Sequence, residues 1–353
     1  MTVRFMARTL RGLEEVAAQE IEERGLGRVE HRRHREVWFS AASAEPRLLD
    51  LRTVDDLFLL VAVADGVGHT KADLAAFTRL ARAAALPAAL PARAACGVPG
   101  RPATVDVAAS FLGRRNYNRY DIEDAVGRHA VAALGLRYHS RRSGEAPPEG
   151  GLSLRVTVEG TQATLAVRVA DRPLHRRAYK RSSTPGTLHP PLAAALAWLA
   201  GIRPGMLVAD PCCGTGTIPV EAAGLAPGAV LFGSDHDPET VGAAVANSAA
   251  SGARVTWAVA DAGRLPLRTG RVDRVVSNPP WDRQVQARGV LAGDSGRLFA
   301  ELRRVTVDGG RAVLLLHEFA DQADLARAAG FGVGDVRPVS LFGAHPSIVD
   351  LQG

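Results

Sequence analysis

The residues best equipped for chemistry in this chain are Asn278-Pro279-Pro280-Trp281. Proline fixes φ and donates no backbone hydrogen bond, so Pro279 and Pro280 leave carbonyl acceptors in set directions. The Asn278 amide adds another acceptor, and Trp281 offers a flat aromatic face. Acceptors beside a ring suit gripping a planar group through its NH2 edge. Asn-Pro also commonly starts a turn, so the stretch gains meaning only from what stands near it.

Upstream, an apolar run over residues 206–209 leads into Asp210-Pro211-Cys212-Cys213-Gly214-Thr215-Gly216-Thr217. Gly214 and Gly216 permit positive φ and let a ligand approach the backbone. The loop lacks the Gly-Lys-Ser/Thr of a phosphate-binding loop and the third glycine of a dinucleotide fingerprint. Bound phosphate is therefore not required. The next strand ends at Asp235-His236, where an acid is placed to hold ribose hydroxyls. A third ends at Asp261-Ala262, where a carboxylate accepts a hydrogen bond from an adenine amino group. The fourth ends at Asn278. A single acid of this kind reads as a helix cap or a surface carboxylate, whereas four successive strand ends so furnished read as one pocket. Cys212 and Cys213 have no general base in the local sequence and read as small packed residues. His236 and His317 stay open as bases.

These positions need a scaffold that brings strand ends together, and residues 189–353 alternate accordingly. Helix patterns over 192–199, 217–223, 238–250, 296–305 and 322–329 are interleaved with strands over 206–209, 229–232, 254–259, 272–276 and 311–316. A closing hairpin spans 333–341 and 347–351. This is the signature of an α/β, doubly wound, mainly parallel sheet, with ligands at the carboxyl ends of its strands.

Ahead of it, residues 1–65 read as a small α+β subdomain and 66–172 as a second unit. The Ala/Pro-rich stretch from 81 to 102 reads as a loop after a helix. Asp121 is expected to cap the helix 122–134, and a hairpin through Gly160 joins strands 152–158 and 164–169. Arg114, Arg115, Tyr117 and Arg119 mix cations that neutralise phosphates with an aromatic that stacks on bases, a pattern fit for RNA. Residues 173–188 form a linker carrying Arg176, Arg177, Lys180 and Arg181.

Charge sharpens the choice of partner. Residues 1–187 hold 29 Lys/Arg against 21 Asp/Glu, and residues 188–353 hold 14 against 16. A basic first half beside a near-neutral second half points to a polyanion. No apolar run reaches the roughly 20 residues of a membrane-spanning helix, and the start lacks the apolar core of a signal peptide. Three cysteines form neither a disulfide framework nor a metal site. A cytoplasmic monomer without metal is expected.

Asp-Pro-Cys-Cys-Gly-Thr-Gly-Thr at 210–217, with Asp235, Asp261 and Asn-Pro-Pro-Trp, resembles class I S-adenosylmethionine-dependent amino-group methyltransferases. More narrowly, it resembles the RNA guanine-N2 methyltransferases that carry a THUMP domain. Leu174-His175-Arg176-Arg177-Ala178-Tyr179-Lys180 is similar to the stretch before that family's catalytic domain. Arg11-Gly12-Leu13-Glu14 and Leu51-Arg52-Thr53 are similar to its leading subdomain. The resemblance implies a ferredoxin-like subdomain (1–65), a THUMP-like RNA-binding domain (66–172) and a Rossmann-like, seven-stranded methyltransferase domain (189–353). It implies S-adenosylmethionine as cofactor, held by 210–217 (Asp210, Pro211, Cys213, Gly214, Thr215, Gly216, Thr217) with Asp235, His236, Asp261, Ala262 and Asn278. The target base is then held by Asn278, Pro279, Pro280 and Trp281, the last standing where Tyr or Phe is more usual. The implied substrate is RNA, with guanine N2 in tRNA favoured over ribosomal RNA. The platform itself equally accepts adenine N6, cytosine N4 or a protein glutamine amide, and an RNA-binding module without turnover is the alternative outside enzymes.

Overall fold

The structure is a computed structural model of the chain, describing every residue except 1, 99, 185, 281–288, 293, 295 and 342. It divides into two compact units, Met1–Thr9 with Ala18–Leu174, and Leu10–Ala17 with His175–Gly353. No helix among the described residues is long and apolar enough to cross a membrane.

The first unit runs β1 (Val3–Arg8), α1 (Glu14–Glu23), β2 (Arg28–Arg33), β3 (Glu36–Ala41), β4 (Asp56–Ala64), α2 (Leu74–Ala83), α3 (Ala89–Ala95), β5 (Thr104–Phe111), α4 (Arg119–Leu134), β6 (Arg137–His139), β7 (Leu152–Glu159) and β8 (Gln162–Arg168). Its eight strands form one sheet in the order β2-β3-β1-β4-β8-β7-β5-β6. Because β4 pairs with β8, the leading strands and those of residues 104–168 share that sheet. Two strands escape the sequence pattern: β2 is a charged edge strand, and β6 has three residues. The Ala/Pro-rich stretch is largely helical rather than a loop, for a local reason. Alanine is the best helix former, and Pro91 sits in the first turn of α3, where a missing N–H costs no hydrogen bond. Asp121 is not the cap of α4. Asn118 caps it, and Asp121, at the third helical position, bonds back to the Asn118 N–H in a reciprocal box.

The second unit continues with α5 (Pro190–Leu199), β9 (Leu207–Asp210), α6 (Thr217–Leu225), β10 (Val230–Asp235), α7 (Pro238–Ser251), β11 (Val255–Val259), β12 (Val272–Ser277), α8 (Gly296–Val305), β13 (Thr306–Leu316), α9 (Ala323–Ala328), β14 (Gly332–Pro338) and β15 (Ser347–Gln352). Its seven strands lie in the order β11-β10-β9-β12-β13-β15-β14. Strands β9 to β13 are parallel, and β15 pairs antiparallel with both β13 and β14. Adjacent strand residues point to opposite faces, and both faces are apolar. Val208, Leu231, Val276 and Val313 pack with Leu192 and Leu196 of α5 and Ile218 of α6. Ala209, Phe232, Val275 and Leu314 pack on the other side with Leu298, Phe299 and Leu302 of α8. Strand order reverses between β9 and β12, which opens a crevice at their carboxyl ends.

Candidate active site

The parallel sheet brings Asp210, Asp235, Asp261 and Asn278 to one edge. Asp210 closes β9, Asp235 closes β10, Asp261 follows β11 by two residues, and Asn278 follows β12 directly. Asp210 is buried. Its Oδ1 accepts from Ser277 Oγ at 2.7 Å and from the Cys212 N–H at 3.2 Å, while Oδ2 has no partner among the described residues. Burial pushes its pKa from the ordinary carboxylate range up to about 7, against the pull of those two hydrogen bonds. Ser277, which the sequence reading did not single out, thereby ties the end of β12 to the end of β9.

The glycine loop is shaped by two contacts. Gly214 N–H donates to Asp235 Oδ2 at 3.0 Å, so the acid of β10 also fixes the loop. Gly216 has φ +81°, and a Cβ there would stand 2.7 Å from the Trp257 ring. Trp257 lies under the loop, with Nε1 donating to Ser248 Oγ at 3.2 Å. Asp235 Oδ1 accepts from the Asp237 N–H, and exposed His236 places Nδ1 3.2 Å from that same oxygen. Asp261 accepts from the N–H groups of Gly263 at 2.8 Å and Val290 at 2.9 Å, and Ala262 is buried beside it.

Several buried side-chain oxygens here have no hydrogen-bond partner among the described residues: Asp210 Oδ2, Thr215 Oγ1, Ser234 Oγ and Asn278 Oδ1. An unpaired buried polar group costs about 1–3 kcal/mol. All four stand at or just past the carboxyl ends of β9, β10 and β12, which gathers unused hydrogen-bonding capacity near one sheet edge. Pro211, Cys213, Thr217 and Pro279 are buried and shape the walls, and Asn278 and Pro280 are half-buried. Trp281 lies outside the described residues. The thiols of Cys212 and Cys213 are pushed well above their ordinary pKa by burial, which leaves them protonated and unreactive. His317 follows β13 at the same edge, with Nδ1 3.3 Å from Glu318 Oε1. Among the described residues no group of His, Cys, Asp and Glu is arranged to hold a metal ion.

The predicted RNA-contact residues separate into exposed and internal ones. Tyr117 is buried, not open to a base: its hydroxyl donates to the Gly68 carbonyl at 2.8 Å, and Phe77 and Phe111 pack edge-on to its ring. Arg115 is turned inward as well, donating to the Gly68 and Gly160 carbonyls and to the Tyr117 hydroxyl. In the linker, Arg177 forms an ion pair with fully buried Glu221 at 2.9 Å, and Lys180 Nζ donates to the Leu188 carbonyl at 3.0 Å. Those four cationic or aromatic side chains are structural. Arg114, Arg119, Arg176 and Arg181 are exposed.

Comparison with known proteins agrees with this architecture. Residues 177–345 match the family described as the RMKL-like methyltransferase domain, UPF0020. Over 250 residues the chain is 32% identical to the tRNA (guanine(6)-N2)-methyltransferase of Thermus thermophilus, covering 70% of this chain and 71% of that protein. It is 32% identical over 196 residues to the U6 snRNA (guanine-N(2))-methyltransferase THUMPD2 of Bos taurus, covering 55% of this chain but 37% of that protein. The crystal structure of TrmN from Thermus thermophilus superposes with a TM-score of 0.77 at 29% identity, covering 99% of both chains.

Proposed function

We propose, on the premise that the chain belongs to the RNA guanine-N2 methyltransferase family of its Thermus relative, that it methylates the exocyclic N2 amino group of a guanine in tRNA. The observation that carries this reading is the buried Asn278 Oδ1, at the same sheet edge as Asp210 Oδ2, both without a hydrogen-bond partner among the described residues. Both are acceptors, and the two ligands of such a reaction both bring N–H donors.

When bound, S-adenosylmethionine supplies an electrophilic sulfonium methyl group. The residues fit it in kind. Asp210 Oδ2 and Thr215 Oγ1 would meet its amino-acid end, Asp235 would hold its ribose, and Asp261 with Ala262 its adenine. A Cβ at Gly214 would meet nothing within 4 Å, so there is room for a ligand beside the loop there. Asn278 Oδ1 and the Pro279 carbonyl then accept the two N–H bonds of guanine N2. The nitrogen lone pair of an aryl amine is delocalised into the ring, and these acceptors build density back onto nitrogen. They also stabilise the positive charge that grows there as the methyl group arrives. The carbon–nitrogen bond would form as the methyl–sulfur bond breaks, leaving neutral S-adenosylhomocysteine, and one N–H proton then leaves to solvent. Holding both reactants at one edge supplies much of the rate by proximity.

Exposed Arg114 and Arg119 of the first unit, and Arg176 and Arg181 of the linker, neutralise phosphates. A THUMP-like role for residues 66–172 is part of this reading, as is a cytoplasmic location. The test is transfer of a tritiated methyl group to unfractionated tRNA and to ribosomal RNA, followed by nucleoside analysis. Label in N2-methylguanosine from tRNA is the expected result. Label confined to ribosomal RNA changes the substrate, and label only in protein overturns the RNA reading.

A further inference from the structure

Asn247 joins the basic linker to the glycine loop through one side chain. It lies on α7 and is 1% exposed. Its Oδ1 accepts from the backbone N–H groups of Arg181 at 3.0 Å and Ser182 at 3.2 Å. Its Nδ2 donates to the carbonyl of Ser182 at 3.2 Å and to that of Thr215 at 3.0 Å. A carboxamide has two lone pairs on oxygen and two N–H bonds, and all four are engaged. Three fix the linker and the fourth fixes the residue between Gly214 and Gly216.

The same linker is anchored a second time. Fully buried Glu221, on the helix that follows the glycine loop, accepts from Arg177 Nε at 2.9 Å and from the Tyr179 hydroxyl at 2.7 Å. The linker is thus held to α7 through its backbone and to α6 through the Arg177 and Tyr179 side chains, while Arg176 and Arg181 are exposed. Ordering residues 176–182 from outside therefore restricts Asn247, and Asn247 restricts Thr215.

We propose that Asn247 is a positioning residue through which RNA held by the linker and cofactor held by the glycine loop strengthen each other's binding. This rests on the RNA methyltransferase reading above. Coupling of this kind is reciprocal: a factor gained by one ligand is gained equally by the other. The sequence gives no hint of it, because Asn247 sits mid-helix in a stretch of small residues, where an asparagine reads as a surface position.

The experiment measures the affinity of S-adenosylhomocysteine by calorimetry, with and without saturating unfractionated tRNA. In the unaltered protein, tRNA is expected to tighten it roughly fivefold or more, the lower end of ordinary coupling. In Asn247→Ala the ratio falls to about one. Asn247→Asp keeps the acceptor for the linker N–H groups but faces the Thr215 carbonyl with a carboxylate oxygen, and it loses the coupling too. Tyr179→Phe removes one hydroxyl at unchanged volume and lowers the ratio while the protein stays folded, as a thermal melt checks. A wild-type ratio retained in Asn247→Ala, or a ratio of one in the unaltered protein when tRNA does bind, overturns the inference. Failure of the unaltered protein to bind tRNA or S-adenosylhomocysteine overturns the methyltransferase reading itself, and this inference with it.

Discussion

Cofactor affinity is expected to rise with pH between 6 and 8 because of Asp210. Burial raises its pKa to about 7, and the Ser277 and Cys212 hydrogen bonds only partly offset that. A cationic ligand group that pairs with Oδ2 binds the ionised form. The sign follows: below the folded pKa most Asp210 is protonated and binding includes the cost of removing that proton; above it the cost disappears. With a pKa of about 7, about one carboxyl in ten is ionised at pH 6 and about nine in ten at pH 8. S-adenosylmethionine should therefore bind roughly tenfold more tightly at pH 8, about 1.4 kcal/mol. Calorimetry at both pH values, in two buffers of different ionisation heat, reads affinity and the released proton together. Asp210→Asn should bind more weakly at pH 8 and lose the slope. A constant affinity in the unaltered protein, or a slope that survives in Asp210→Asn, refutes the assignment.

Three further outcomes follow from the same geometry. Asn278→Ala should lower kcat by about 10²–10³, the usual effect of losing one transition-state hydrogen bond, while S-adenosylhomocysteine still binds in calorimetry; unchanged turnover would discard the platform mechanism. Gly233→Ala brings a Cβ within 2.3 Å of the Trp257 ring and should destabilise by about 1–3 kcal/mol in urea unfolding. Trp257→Leu should relieve most of that cost, and strictly additive single effects would show that the ring is not the obstacle. Arg119→Ala should weaken RNA binding and reduce the slope of log affinity against log salt by about 0.7–0.9, whereas Tyr117→Phe should lower stability by about 1 kcal/mol and leave that slope alone. A salt slope altered by Tyr117→Phe would return Tyr117 to the RNA surface.

The parallel sheet was legible because its signals are short-range. Each strand is a brief apolar run, each is followed by a helix, and the functional residue stands at the join, so spacing along the chain already says that Asp210, Asp235, Asp261 and Asn278 reach one edge. What spacing does not carry is how neighbouring strand ends are tied together. Ser277 matters because β12 lies beside β9, a pairing of strands far apart in sequence. Trp257 matters because glycine at 216 and 233 leaves room for its ring. The sequence shows the glycines, and only the pairing of β10 with β11 shows what fills the space they leave.

Residue type was a weaker guide on the basic segments, for a physical reason. Arginine and tyrosine suit phosphates and bases, but their donors suit carbonyls and carboxylates of the protein equally well. Arg115 and Tyr117 converge on the Gly68 carbonyl, and Arg177 on Glu221. A local pattern of alternating cations and aromatics cannot tell these uses apart, because the deciding partners lie tens of residues away. The excess of positive charge in residues 1–187 survives the sorting, since internal ion pairs consume cations and anions equally. Its exposed share falls to residues such as Arg114, Arg119, Arg176 and Arg181. The long-range field that attracts a polyanion thus stays with the first half of the chain, while part of the motif that first drew attention to it holds the fold together.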